Sequence, residues 1–302
     1  MFHMFLIIGG DSEIGAAAFA ALKTQGRVVV ATTRRRDLVG QDRLFLDLAA
    51  SLDKWEPPQG AASACVCAAV ARLADCAADP QASARINVIQ TLALVDKLVR
   101  RGIYVLFLSS NQVFDGRVPQ VPPGATHSPV SEYGRQKART ESVLHDYMVR
   151  GAPIGILRLA KVVSPGMPLL QRWIADLARG KSISAFSDMK LAPTHIELVC
   201  SAISSLLSER ASGIFQLTGP RDVTYADVGC FLAMELGVES SLVQTTSARA
   251  AGLPEGATPL HTTLDSTALR DRFGLEVPDV WQVIESVIGS DVCQSRKMQN
   301  AG

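Results

Sequence analysis

Tyr133 and Lys137 stand four residues apart on a segment that reads as a helix, with Ser110 upstream at the end of an apolar run. Four residues is about one helical turn, so phenol and ammonium project from the same face. A neighbouring ammonium favours phenolate over phenol, and the pairing is expected to lower the Tyr133 pKa from its usual value near ~10. A tyrosine tuned that way can give or take the proton of an alcohol while a nicotinamide exchanges hydride with the same carbon. Tyr and Lys are also ordinary helix-surface residues, so the spacing alone says little. The weight falls on the elements that would position it.

Those elements begin with Phe5-Leu6-Ile7-Ile8, a short apolar run of the kind that forms a buried parallel strand. It enters Gly9-Gly10-Asp11-Ser12-Glu13-Ile14-Gly15, and the small and apolar residues 16–22 then read as a packed helix. Strand, glycine turn and helix form the setting of a dinucleotide site. Gly9 permits the tight turn and Gly15 lets the helix pack closely on the sheet. The helix start offers unpaired N–H groups to a pyrophosphate, with Asp11, Ser12, Glu13 and Ile14 as candidate contacts. Ser12 stands where a G-x-x-G-x-x-G turn has its middle glycine, and is small enough for close approach.

A second strand over residues 28–31 runs into Thr32-Thr33-Arg34-Arg35-Arg36. An NAD-preferring site commonly places an acid near here, roughly twenty residues past the glycines, to hold the ribose 2′-hydroxyl. Threonines and arginines stand there instead, and guanidinium groups bind a 2′-phosphate through charge-assisted hydrogen bonds. The expected cofactor is therefore NADP(H) rather than NAD(H), with Thr33, Arg34 and Arg35 as contacts. A solvated basic loop is the plainer alternative. Asp47 and Leu48, closing a third strand over 44–48, are expected near the adenine, and Ala68 and Ala69, ending a fourth over 64–69, are further expected cofactor contacts.

The chain has 302 residues, enough for a large buried core. Its formal net charge of +1 gives no electrostatic case for nucleic acid or an acidic membrane surface. The six cysteines are scattered. Cys65 and Cys67 are expected to face opposite sides of their strand, against a metal clip, and no metal is expected. Free thiols in a reducing compartment are the simpler account. No signal-like n-region precedes the first strand and no apolar stretch would span a bilayer, so a cytoplasmic enzyme is expected. Nothing in the chain speaks against a homodimer.

The fold class is α/β: a Rossmann-type, doubly wound parallel sheet with a smaller C-terminal substrate-binding domain. Residues 80–101 read as one long helix, 104–108 as the strand ending at Ser109-Ser110, and 154–159 as the last strand of the regular alternation. The expected division is a cofactor domain over 1–163, a mainly substrate-binding domain over 164–289, and a loose polar tail over 290–302. Helices are expected near 169–179, 196–208 and 225–236, with 214–217 returning to the sheet.

Several segments resemble, in order, the extended short-chain dehydrogenase/reductases, and within them the dTDP-4-dehydrorhamnose reductase group. Residues 108–116, LSSNQVFDG, look like its S-T-D-Y-V-F-D-G segment, and 129–141 resemble its P-x-x-x-Y-G-x-x-K-x-x-x-E stretch. Residues 74–80 echo a D-x-C-E-x-D-P-like loop; 192–197 and 213–219 resemble S-P-T-Y-V-E-D and G-I-Y-H-L-x-G. Leu264-Asp265 and Pro278-Asp279-Val280-Trp281 look like the closing L-D and P-x-W patterns.

The resemblance implies a catalytic triad of Ser110, Tyr133 and Lys137. Ser110 would hydrogen-bond the substrate carbonyl, Tyr133 would supply the proton, and Lys137 would tune Tyr133 and hold the nicotinamide ribose. Asn87 would either support a water-mediated proton path or be a packed structural amide. The implied activity is reduction, by NADPH, of a 4-keto group on a nucleotide-activated deoxysugar. The alternatives are an NADP-dependent epimerase of such sugars, or a non-catalytic NADP-binding regulatory subunit.

Where dehydratases of the extended family carry Asp-Glu after the catalytic hydroxyl, this chain has Asn111 and Gln112, which exchange no proton near neutral pH. Dehydration is thereby disfavoured. Asn111 and Gln112 also depart from the reductases' Asp and Tyr, as His195 and Leu198 do from Tyr and Asp, so the sugar pocket is expected to differ. Arg158 and Lys161 are placed where a nucleotide diphosphate would enter, and Arg172, Arg179 and Lys181 could clamp it. Solvated charges are the plainer reading of each. His195 could act on a sugar proton or simply form wall or core.

Overall fold

The computed structural model describes residues 3–253 and 256–299, with side chains to residue 289. Strand β1 (Met4–Ile8) leads through the glycine turn to helix α1 (Glu13–Thr24), followed by β2 (Val29–Thr33), β3 (Arg43–Phe45) and β4 (Ala61–Val66). Helices α2 (Leu73–Ala78) and α3 (Pro80–Ala84) precede a π-helical turn (Arg85–Gln90) and α4 (Thr91–Val99). The single helix expected over 80–101 is therefore a composite, widened by one residue per turn around Asn87. Next come β5 (Tyr104–Ser110), the long helix α5 (Glu132–Val149), β6 (Ile154–Leu159) and the short β7 (Val162–Val163).

Beyond them lie α6 (Pro168–Ala178), β8 (Ile183–Phe186), β9 (Lys190–Leu191), β10 (Thr194–His195), α7 (Ile196–Glu209) and β11 (Gly213–Leu217). The chain closes with β12 (Val223–Thr224), α8 (Tyr225–Leu236), β13 (Val243–Thr246), α9 (Thr267–Phe273) and α10 (Val280–Gln299). A loose tail from residue 290 is not what the backbone adopts: α10 carries the chain on to Gln299, and 300–302 lie outside the described residues.

Seven parallel strands form the main sheet in the order β11-β6-β5-β4-β1-β2-β3. The order reverses between β1 and β4, which opens a crevice beyond their carboxyl ends. One sheet face packs on α1 and α7 through Phe19, Leu22, Val199 and Ile203; the other packs on α4 and α5 through Leu94, Leu98 and Leu144. With both faces covered, β1 and β5 read as nearly continuous apolar runs. β11 joins the sheet edge beside β6, with Ile214 opposite Ile156. A separate apolar cluster unites α6, β8, α8, β13 and α10 around Trp173, Leu177, Leu232 and Ile284. Among the described residues, no helix is long and apolar enough to cross a membrane.

Candidate active site

Helix α5 starts where it does because Ser131 caps it, its hydroxyl accepting the Gly134 N–H at 3.0 Å. Gly134 then lets the helix press on the turn after β5: a Cβ there would sit 2.1 Å from the Gln112 carbonyl oxygen. Across that contact, Ser110 caps the 3-10 turn Asn111–Val113, its Oγ accepting the Gln112 N–H at 3.2 Å. Ser110, Tyr133 and Lys137 are thus brought together at the carboxyl end of β5. The Ser110 hydroxyl, which donates to Asn111 Oδ1 at 3.2 Å, stands near enough to the Tyr133 phenol to pull its pKa down. The Lys137 ammonium donates to the Leu108 carbonyl at 2.8 Å and lies 4.3 Å from the Phe107 ring centre and 5.8 Å from that of Tyr133.

The electrostatics differ from the sequence expectation. Burial pushes the Tyr133 phenol above its ordinary value, and the nearby Ser110 hydroxyl only partly offsets this. Lys137 is held to about 8, again mainly by burial, with the Glu141 carboxylate pulling it back up. The expected lowering of Tyr133 fails because desolvation is the largest influence on the phenol. Lys137 sits over the tyrosine ring with its ammonium committed to a strand carbonyl.

At the carboxyl end of β1 the turn is built for close approach. A Cβ on Gly9, at φ +87°, would lie 2.7 Å from the Ala68 nitrogen, and one on Gly15 would lie 2.2 Å from the Gly9 oxygen. Ser12 caps α1: its Oγ donates to the Gly9 carbonyl at 2.8 Å and accepts the Gly15 N–H at 3.1 Å. Glu13 and Ile14 keep main-chain N–H groups with no protein partner among the described residues. Such a cradle fits a dinucleotide pyrophosphate. The Glu13 side chain turns away to accept Ser164 Oγ at 2.5 Å.

Asp11 reaches across to the end of β2. Its Oδ2 accepts the Thr33 hydroxyl at 2.8 Å and the Arg34 N–H at 3.0 Å. Arg34 is exposed; Arg35 pairs with Asp37 at 3.2 Å, and Arg36 covers the Phe45 ring at 4.1 Å. Asp47 accepts the Ala49 N–H at 2.9 Å within its own turn, just past β3, while the neighbouring Leu48 is buried. Ala68, which packs against Gly9, and Ala69 follow β4 at the crevice floor. A cavity of about 360 Å³ lies at the opposite end of the sheet, near Phe5, Arg27 and Arg210, away from these groups.

The expected substrate residues fare unequally. Asn111 donates to the Thr262 carbonyl at 3.5 Å, and Gln112 links Ser131 to the Gly256 carbonyl, so both side chains stitch the β5 turn to the C-terminal region. Lys161 is half-buried, and burial lowers its pKa against the pull of Glu13. Arg172, Arg179 and Lys181 are exposed and stand on or just after α6. His195 caps α7, its Nδ1 accepting the Glu197 N–H at 3.2 Å.

Arg158 is neither a diphosphate contact nor a solvated charge. It is 1% exposed, grips both Glu141 oxygens, and donates to the Pro123 carbonyl and Gln216 Oε1. His127 Nε2 joins the cluster, 3.0 Å from Arg158 and 3.1 Å from Glu141. Burial pushes the Glu141 carboxyl up, but hydrogen bonds from His127 and Arg158 and the Arg158 charge prevail and hold it low. Asn87 is likewise internal: its Oδ1 accepts the Val70 N–H, and its amide donates to the Val70 carbonyl and Gln136 Oε1. With both amide atoms engaged, its geometry is that of a structural clamp.

Cys65 and Cys67 do not face opposite sides. Their sulfurs lie 3.5 Å apart, because residues two apart on a strand share a face. Burial raises the Cys65 thiol.

Residues 3–291 match the RmlD substrate binding domain family. The chain belongs to that family. A relative, the dTDP-4-keto-6-deoxy-D-glucose reductase of Streptomyces niveus, is 27% identical over 275 residues, covering 90% of this chain and 91% of that one. Among solved structures, the dTDP-4-dehydrorhamnose reductase of Bacillus anthracis in complex with NADP superposes with a TM-score of 0.77 at 16% identity, covering 96% of this chain and 99% of that one. MoeE5 in complex with UDP-glucose and NAD gives 0.78 at 21%, covering 99% of both chains. These structural likenesses show the fold, and neighbours of that fold carry a nicotinamide dinucleotide. What the sequence reading missed in this RmlD-family chain is the polar scaffold behind the site. Gln136, one residue before Lys137, holds Asn87, Ser83 and Glu132, and Glu141 one turn on anchors Arg158. The only sequence signal was the glutamate ending the P-x-x-x-Y-G-x-x-K-x-x-x-E stretch.

Proposed function

We propose that this chain is a nicotinamide-dependent reductase of a 4-keto group on a nucleotide-activated deoxysugar, with NADPH the preferred hydride donor. The observation that carries the reading is the convergence of Ser110, Tyr133 and Lys137 at the end of β5, beside the glycine cradle. A bound nicotinamide supplies hydride to the carbonyl carbon. Ser110 donates a hydrogen bond that orients the carbonyl oxygen. Burial keeps the Tyr133 phenol protonated at neutral pH, which is the form needed to deliver a proton to the developing alkoxide. Lys137 balances that oxygen from beneath and offers its ammonium to the ribose.

The reductase activity of the Streptomyces relative supports the 4-keto substrate class. Asn111 and Gln112, which carry no titratable group, argue for reduction over dehydration. Arg34 and Arg35, exposed beyond β2, support NADPH as donor. Lys161, Arg172 and His195, with Asn111 and Gln112, are the proposed substrate contacts.

The test is isotopic. With NADPH deuterated at the transferred position and a dTDP-4-keto-6-deoxysugar, the product should carry one deuterium at C4, with one NADP formed per sugar reduced. A sugar returned at its starting oxidation level, without net NADP formation, would point to an epimerase. No turnover on dTDP, UDP and GDP sugars, with NADPH still bound, would oppose an enzymatic role.

A further inference from the structure

Asp11 puts a carboxylate where the sequence holds none. No acid stands at the end of β2, yet the glycine turn delivers one there: Oδ2 bonds the Thr33 hydroxyl and the Arg34 N–H, and Oδ1 lies 3.6 Å from Arg43 Nη1. The side chain is 27% exposed, so it is open to a ligand in the crevice. In a dinucleotide-binding sheet this is where the adenosine ribose is read: an acid there accepts the 2′-hydroxyl, whereas donors and guanidinium groups bind a 2′-phosphate. Here the first main-chain donor past the strand, Arg34 N–H, is already committed to a carboxylate. A 2′-phosphate would meet that negative charge at short range and compete with it for the same N–H.

From this juxtaposition we infer that Asp11 is a specificity-determining residue. It accepts the ribose 2′-hydroxyl of NADH and weakens NADPH, narrowing the preference that Arg34 and Arg35 create. The inference rests on the proposed nicotinamide-dinucleotide site and concerns only the balance within it. Asp11→Asn is the sharpest probe, because an amide oxygen can still accept from Thr33 and Arg34 while the charge is gone.

Dissociation constants for NADPH and NADH, measured by calorimetry on the full chain, decide the matter. Asp11→Asn should tighten NADPH and weaken NADH, raising the ratio of the two affinities by roughly tenfold or more, as removal of a short-range like charge implies. Asp11→Ala should move the ratio the same way, and Arg34→Ala with Arg35→Ala should move it the other way. Equal weakening of both cofactors in Asp11→Asn, with unchanged thermal stability, would make Asp11 a loop anchor and overturn the inference alone. A wild-type chain that binds neither dinucleotide would overturn the underlying cofactor reading as well.

Discussion

The Lys137 ammonium donates to the Leu108 carbonyl oxygen at 2.8 Å, tying helix α5 to the end of strand β5 beneath the Tyr133 ring. A charge held there is 3% exposed, and burial draws its pKa down to about 8. Between about pH 8 and the unperturbed lysine value near ~10.5, the folded chain binds fewer protons than the unfolded one. The stability contributed by this residue therefore rises with pH across that window. Lys137→Met relieves a cost of about 3 kcal/mol at neutral pH, less whatever the lost Leu108 bond removes. Urea midpoints should favour the variant most at neutral pH, and that margin should shrink toward pH 10. A margin independent of pH would mean that the ammonium is not the destabilising group.

Gly134 sets how closely Tyr133 approaches Ser110. Gly134→Ala places a Cβ against the Gln112 carbonyl, and the helix has to move by something like an ångström. Overpacking of this kind costs about 1–3 kcal/mol, and a displacement of that size can lower turnover by roughly a hundredfold. Turnover should fall while NADPH binding, proposed mainly at the α1 turn, changes little. Wild-type turnover in this variant would contradict the assigned contact between α5 and the β5 turn.

Glu141 and Arg158 form a buried ion pair with both members 1% exposed. Arg158→Met leaves the carboxylate uncompensated and should cost about 3–5 kcal/mol in urea unfolding. Adding Glu141→Leu should recover part of that loss, since the orphaned charge is then gone. If the double variant is destabilised by the sum of the two single effects, the pair does not act as one unit.

Asn87 bridges Val70, at the crevice floor, to Gln136 in helix α5. Asn87→Ala is expected to lower stability by about 1–3 kcal/mol by stranding buried partners. The shape of the pH–turnover profile should stay as in the wild type. A moved or steepened limb would instead place Asn87 in the proton path.

Much of this architecture is readable from local pattern. The run from Phe5 to Gly15 specifies strand, turn and helix start, and residues 225–236 coincide with α8. Periodicity places Tyr133 and Lys137 one helical turn apart and Ser110 at a strand end, while their grouping as a triad comes from the family resemblance. What stays hidden depends on contacts between residues far apart in sequence. Arg158 lies on a strand amid apolar neighbours, and its burial becomes intelligible only with Glu141 seventeen positions away. The Asp11 carboxylate belongs in sequence to the glycine turn, and only strand pairing between β1 and β2 brings it to Thr33. The raised pKa of Tyr133 is hidden for a related reason: proximity of a charge is visible in spacing, whereas desolvation is a property of the packed fold.

The central claim is that Tyr133 delivers the proton in a ketone reduction. Turnover of a nucleotide-activated 4-keto-6-deoxysugar with NADPH, followed at 340 nm for wild type and Tyr133→Phe alongside NADPH binding to each, tests it most directly. Loss of turnover by about 10²-fold or more, with unchanged NADPH affinity, is the predicted result. Near-normal turnover by Tyr133→Phe would contradict it.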